Sequence, residues 1–90
     1  MYLHLGQDTV VAFDEIIGIF DLDTSTVSKT TRDYLKRAEQ SGLVVNVSME
    51  LPKSFTVCKD AQNKTTVYIS QISSATLLKR TGFIQGLSNL

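Results

Sequence analysis

Two aspartates separated by one residue, Asp21 and Asp23, stand at the end of the apolar segment EIIGIF. Carboxylates at this spacing can combine a nucleophile with a general acid or base beside a bound Mg²⁺, which suits phosphoryl transfer. The same aspartates, together with Thr24, are also typical of a turn from a strand into a helix, where acidic groups favour the positive helix start. The pattern therefore poses a choice between a catalytic site and a helix cap.

The stretch IIGIFDLDTST resembles the first motif of the haloacid dehalogenase phosphotransferases. Such enzymes require a larger doubly wound sheet and later lysine and acidic motifs, whereas this chain has 90 residues and carries Ser25 at the fifth motif position. Function has to be argued from the site and not from likeness alone. We therefore interpret Asp21, Asp23 and Thr24 as turn and cap residues, and we predict no catalytic residue and no enzyme activity.

The remaining reactive side chains are too few to form another site. The chain has one histidine, His4, and one cysteine, Cys58, so one copy cannot form a disulfide or a His/Cys metal cluster. The aspartates lack the third acid, the glycine and the final glutamate of an EF-hand loop, and the serines have only His4 as a triad partner. We expect a buried apolar role for Cys58 and predict no metal, no cofactor and no small-molecule substrate.

The charges balance overall but are separated along the chain. Residues 1–28 carry five acids and no base (0 − 5 = −5), and residues 29–90 carry nine bases and four acids (9 − 4 = +5). Such a chain can present one basic face while staying neutral, or folding can interleave the two halves. Two groups of basic residues suit phosphate contact, one on a predicted helix and one on a predicted hairpin: Lys29, Arg32, Lys36 and Arg37, and Lys53, Lys59 and Lys64.

The apolar periodicity predicts a single α+β domain, 1–90, with a mostly antiparallel sheet of about five or six strands. Apolar or alternating runs indicate these strands: MYLHL, TVVAF, EIIGIF, GLVVNVS, KSFTVCK and TTVYIS. In KSFTVCK, Phe55 and Val57 fall on one side and Ser54, Thr56 and Cys58 on the other. The loop DAQNK joins the last two strands as a hairpin.

Two helices complete the predicted fold. One main helix is expected over about 27–41, capped by Thr26 or Ser28 and ended at Gly42 in the left-handed conformation. A short C-terminal helix, SATLLKR, follows a serine cap, and its final basic residues suit the negative end of the helix dipole. The tail TGFIQGLSNL either folds back on the domain or meets a neighbour.

The segment EIIGIF predicts self-association. It is β-branched and almost wholly apolar, as expected of a strand covered on both faces or buried at an interface. The acidic first third and the basic remainder offer complementary surfaces for a head-to-tail contact, which gives a ring when its rotation closes. We therefore predict a ring-like homo-oligomer with its interface at Ile16, Ile17, Ile19 and Phe20.

The N-terminus lacks the basic region and long apolar run of a signal peptide, and no segment approaches ~18 consecutive apolar residues. We expect a cytoplasmic protein with no membrane partner.

The chain as a whole resembles the extracellular matrix regulatory protein family (RemA/RemB) of spore-forming Gram-positive bacteria, closest to the B branch. The resemblance is carried by MYLHLGQDTVV, IIGIFDLDT, GLVVNVS and ELPKSF. It implies a regulator of biofilm matrix genes, and in the A branch a ring-forming protein whose surface arginines contact DNA phosphates. The positions of those arginines correspond to Glu15, Leu51 and Pro52 in this chain, and Lys53 is the next residue.

Lys53 keeps a positive charge near the place where the resemblance implies DNA contact. We predict that Lys53, with Lys59 and Lys64, contacts double-stranded DNA in a ring-forming transcriptional regulator. The alternative is an oligomeric interaction module that regulates through a protein partner without binding DNA, which the departures at Glu15, Leu51 and Pro52 favour.

Overall fold

The computed structural model describes residues 1–22 and 28–82. The helix-cap interpretation of Asp23, Thr24 and Thr26 and the expectations for the tail from 83 to 90 lie outside these residues. A 3₁₀-helical turn at Phe13–Glu15 follows the first two strands. In chain order the strands and helices are β1 Tyr2–Gly6, β2 Thr9–Ala12, β3 Ile16–Asp21, α1 Lys29–Gln40, β4 Val44–Asn46, β5 Ser54–Lys59, β6 Thr65–Ser70 and α2 Ser74–Thr81.

The six strands among the described residues form two sheets. β1 and β2 make an antiparallel hairpin, and the other four lie in the order β3-β5-β6-β4. β4 runs parallel to β6, while the other pairs are antiparallel. The predicted α+β class, with mostly antiparallel pairing, is confirmed. The prediction of a single sheet is wrong, because the turn at Phe13–Glu15 separates β2 from β3 and the hairpin packs as a layer of its own.

The four-stranded sheet is covered on both faces around β5. Phe55 and Val57 pack towards α1 with Ala38, whereas Cys58 packs towards the hairpin and α2 with Leu5. The predicted alternation along KSFTVCK is therefore confirmed, although every side chain from 54 to 58 is buried. Burial on both faces makes β5 the centre of a three-layer domain.

Both helices begin and end as the sequence indicates. The Ser28 hydroxyl accepts a hydrogen bond from the Thr31 backbone N–H, and Ser73 does the same for Thr76, so each serine caps a helix start. α1 is followed by Gly42 at φ 73°, a left-handed conformation that glycine adopts without steric cost.

Polar groups fasten the hairpin to the sheet. The Ser70 hydroxyl donates to the Leu5 carbonyl oxygen at 2.7 Å and accepts from the Ile72 N–H at 3.0 Å. The Ser54 hydroxyl donates to the Ile72 carbonyl oxygen at 2.7 Å. Because both serines are fully buried, these bonds form away from competing water. The Ser70 bond to Leu5 fixes β1 above the sheet, and the bonds to Ile72 hold the segment after β6.

Candidate assembly and nucleic-acid surfaces

β3 forms an apolar edge of the four-stranded sheet. Among the described strands it pairs with β5 alone, and the sequence from Ile16 to Phe20 contains no charge and no proline. Ile17 is 61% exposed and Phe20 is 40% exposed. Within residues 1–22 and 28–82 the strand is therefore not covered on both faces, and an uncharged apolar edge of this kind is suited to contact with another chain.

The four predicted interface residues of β3 are divided between two grooves. Ile17 and Phe20 line a groove of about 380 Å³ beside α1, with Tyr34 at its other wall. Ile16 and Ile19 line a groove of about 410 Å³ beside α2. We call these the α1-side groove and the α2-side groove. They lie on opposite faces of β3, so a flat partner surface cannot contact all four side chains together.

Gly18 leaves room for the aromatic side chains that form the floor of the α1-side groove. The Phe20 ring stacks on the Phe55 ring, with centroids 4.9 Å apart and planes inclined by 20°. A Cβ atom at Gly18 would lie 2.6 Å from the Phe20 ring, which is closer than atoms can approach without displacement. Gly18 therefore allows the Phe20 ring to lie across the strand, where it presents an apolar face to solvent.

The predicted nucleic-acid residues lie at two ends of the sheet. Lys53 immediately precedes β5 and Lys59 ends it, and six residues of extended strand span about 20 Å. Lys64 lies in the turn that follows Lys59, which is paired with Thr65. All three lysines are exposed. Within one copy Lys59 and Lys64 lie at the same end of β5, and Lys53 lies at the other end.

The backbone of Lys53 is held on both sides. Its N–H donates to the Ser70 carbonyl oxygen at 2.8 Å, and its carbonyl oxygen accepts from the Leu22 N–H at 3.1 Å. The exposed Lys53 ammonium is thus carried on a fixed backbone, which suits contact with a phosphate. The basic residues of α1 are also exposed, but Asp33 and Glu39 share their surface, which weakens its positive potential.

The sequence did not predict a site role for two exposed apolar residues. Met49 is fully exposed and Leu51 is 78% exposed. They lie in the segment between β4 and β5, which we call the 48–52 loop. Met49 and Leu51 flank Glu50 directly before a proline, and apolar side chains in such a turn have no core to join. That context was the signal available in the sequence.

The described residues that were considered for chemistry do not form a reactive site. Asp21 ends β3 opposite Ser54, and the His4 ring Nε2 lies 2.7 Å from the Gln7 carbonyl oxygen. Within residues 1–22 and 28–82, no three His, Cys, Asp or Glu side chains converge in a metal-binding arrangement. None of the described helices has the length and apolar character needed to cross a bilayer.

Cys58 is buried among apolar side chains of the core. Burial raises the pKa of its thiol from 9.0 to about 11, and the nearby Glu15 carboxylate adds to the shift. At pH 8 the folded protein should react with an aromatic disulfide reagent far more slowly than the unfolded chain, because the thiolate is the reactive form. Absorbance of the released thiol, with and without denaturant, measures this; equal rates would contradict it.

The raised pKa of Cys58 also predicts how stability depends on pH. The folded state keeps a proton that the unfolded chain loses first, so the free energy of unfolding should decrease from about pH 9 to about pH 11. The pKa of Tyr68 is also raised by its burial and by nearby Cys58 and Glu15, and it acts in the same direction. Urea titrations of the wild type and of Cys58→Val should show a shallower decrease for the variant.

These features define a small α+β domain that exposes apolar grooves and basic side chains, with no catalytic cluster among the residues that the structure describes. The chain belongs to the RemA-like family, described as extracellular matrix regulatory protein A-like, whose family model matches residues 2–81. It is 40% identical to extracellular matrix regulatory protein B of Bacillus subtilis (strain 168) over 84 residues, or 93% of this chain and 94% of the relative. The resemblance noted in the sequence is thereby confirmed.

Proposed function

We propose that this protein is a cytoplasmic, DNA-associated transcriptional regulator of extracellular matrix genes that acts as a ring-forming homo-oligomer. The family and the Bacillus subtilis relative are both named as extracellular matrix regulators. The observation that carries the assembly is the uncovered apolar edge of β3, with Ile17 and Phe20 exposed. The described residues of a single copy leave Ile17 and Phe20 in water, and head-to-tail contact with another copy would remove them from water.

DNA binding in this proposal depends on repetition. One protomer offers Lys53 at one end of the sheet and Lys59 with Lys64 at the other, and one to three phosphate contacts give only weak binding that salt removes. A ring repeats the same lysine at every subunit, so the contacts add by avidity even though each protomer is neutral. The DNA is contacted through its phosphates, with little sequence information, and bends along the ring.

Lys53→Glu should weaken binding of assembled protein to duplex DNA severalfold, by a similar factor for unrelated sequences, because it reverses a phosphate-contacting charge in every subunit. Gel shifts or fluorescence anisotropy across a salt series measure this, with a less steep dependence of affinity on salt for the variant. Lys79→Glu on α2 is the matched control, since it makes the same charge change at an exposed lysine outside the proposed surface. Equal weakening by both variants would contradict a specific role for Lys53.

The second candidate function is an oligomeric module that regulates through a protein partner without contacting DNA. It is favoured by the apolar 48–52 loop, where Leu51 and Pro52 occupy the positions at which the resemblance places arginines. If assembled wild-type protein gives no shift with duplex DNA at low salt, the DNA proposal is lost and this candidate remains.

A further inference from the structure

We propose that each copy inserts Met49 and Leu51 into the α1-side groove of the next copy. The inference rests on the proposed homo-oligomer and names the two surfaces that would build it. One surface is the 48–52 loop, and the other is the groove lined by Ile17, Phe20 and Tyr34.

The 48–52 loop projects two apolar side chains on an anchored backbone. Before it, the Val47 N–H donates to the Ile69 carbonyl oxygen at 2.9 Å, and after it the Lys53 N–H donates to the Ser70 carbonyl oxygen at 2.8 Å. Within it, the Ser48 hydroxyl accepts from the Glu50 N–H at 3.0 Å. Because the loop is fixed at both ends and inside, little conformational entropy is lost when it docks.

The α1-side groove is suited to receive such side chains. Its floor is the stacked pair of Phe20 and Phe55, and the aliphatic side chain of Ile17 stands exposed at its rim. Its volume of about 380 Å³ is in the range of pockets that bind small apolar groups. A flexible methionine adapts to the irregular outline of a pocket of this kind.

The two surfaces share no residue. The loop leads from β4, an outer strand of the order β3-β5-β6-β4, into β5, and the groove lies beside β3 and α1. A contact between two different surfaces joins copies head to tail, which is the kind of interface that generates rings.

Charge complementarity favours the same pairing. Thr30 and Thr31, in the first turn of α1, line the groove. This turn contains Lys29 and no acid, so the start of α1 places positive charge beside the groove. Glu50, between Met49 and Leu51, brings a carboxylate of the neighbouring copy to that end.

The test uses two variants with complementary defects. The loop variant Met49→Asp/Leu51→Asp keeps the groove, and the groove variant Ile17→Asp keeps the loop. Each variant alone should have the mass of one chain in light scattering, under conditions where the wild type is oligomeric. An equimolar mixture should have the mass of two chains, because one intact loop and one intact groove remain. Val10→Asp, at a position 56% exposed on the hairpin, is the matched control and should keep the wild-type mass.

The outcomes separate this inference from the proposed function. If the wild type is oligomeric and the loop variant keeps its mass, or if the mixture stays monomeric, this pairing of surfaces is wrong while assembly stands. A monomeric wild type would instead remove the proposed assembly and this inference together. Circular dichroism of each variant confirms folding, and Phe20→Asp serves as a second groove variant should Ile17→Asp be unfolded.

Discussion

Leu77→Ala is expected to reduce the free energy of unfolding by about 3 kcal/mol, within the range for removing a fully buried leucine side chain. Leu77 is completely inaccessible to solvent and packs in one cluster with Leu3, Leu5 and Val11. It is the buried residue of α2, so the variant leaves a cavity where this helix meets the hairpin. Since small domains are stable by only about 5–15 kcal/mol, this loss is a large share of the total.

Urea titrations monitored by circular dichroism measure the loss, provided that the m value is unchanged. Leu78→Ala is the matched control, because Leu78 is only half buried and lines the α2-side groove. Leu78→Ala should reduce the free energy of unfolding by less than half as much as Leu77→Ala. If both variants lost the same stability, the contact of Leu77 with the hairpin would not be what holds α2 in place. Self-association adds to apparent stability, so both titrations require equal protein concentration.

Local sequence signals were sufficient for the helices and for the centre of the sheet. Ser28 and Ser73 act as caps because a hydroxyl at that position meets the free N–H groups of its own helix. The division into two sheets was not predictable in the same way. Phe13–Glu15 contains no glycine or proline to mark a break. The hairpin packs on the sheet because its apolar side chains and those of the sheet beneath it are buried together.

The interface residues show where periodicity fails. Strict alternation along β3 places Ile17 and Ile19 on one face and Ile16, Gly18 and Phe20 on the other. A register shift between Ile16 and Gly18 changes this arrangement, so that Ile17 joins Phe20 in one groove and Ile16 joins Ile19 in the other. A bulge depends on pairing with β5, and the sequence of β3 alone does not encode it.

The nucleic-acid residues show a related limit. Lys53, Lys59 and Lys64 belong to one hairpin, which makes them neighbours in sequence, yet the extended strand between Lys53 and Lys59 carries them to opposite ends. Nearness within a hairpin therefore does not imply one basic patch. In the ring that we propose, the lysines would form a continuous basic surface only because each one is repeated in every subunit.

Ser70→Ala is expected to reduce the free energy of unfolding by about 2–3 kcal/mol, although it removes a single oxygen atom. The Ser70 hydroxyl bonds the Leu5 carbonyl oxygen and the Ile72 N–H in a fully buried position. Alanine leaves both backbone groups without this partner, and each buried polar group so abandoned costs about 1–3 kcal/mol. Faster amide hydrogen exchange in β1 than elsewhere in the core should accompany the loss.

Thr56→Val removes a buried hydroxyl that, unlike the hydroxyl of Ser70, forms no hydrogen bond among the described residues. Thr56 is fully buried, and its hydroxyl oxygen finds no hydrogen-bond partner among the described residues. Valine removes that unpaired hydroxyl with little change of shape, so the free energy of unfolding should stay the same or rise by about 1 kcal/mol. Both variants delete one buried hydroxyl from the surface beneath the hairpin. A similar loss in both would mean that burial itself, and not the bonds of Ser70 to β1 and Ile72, determines the cost.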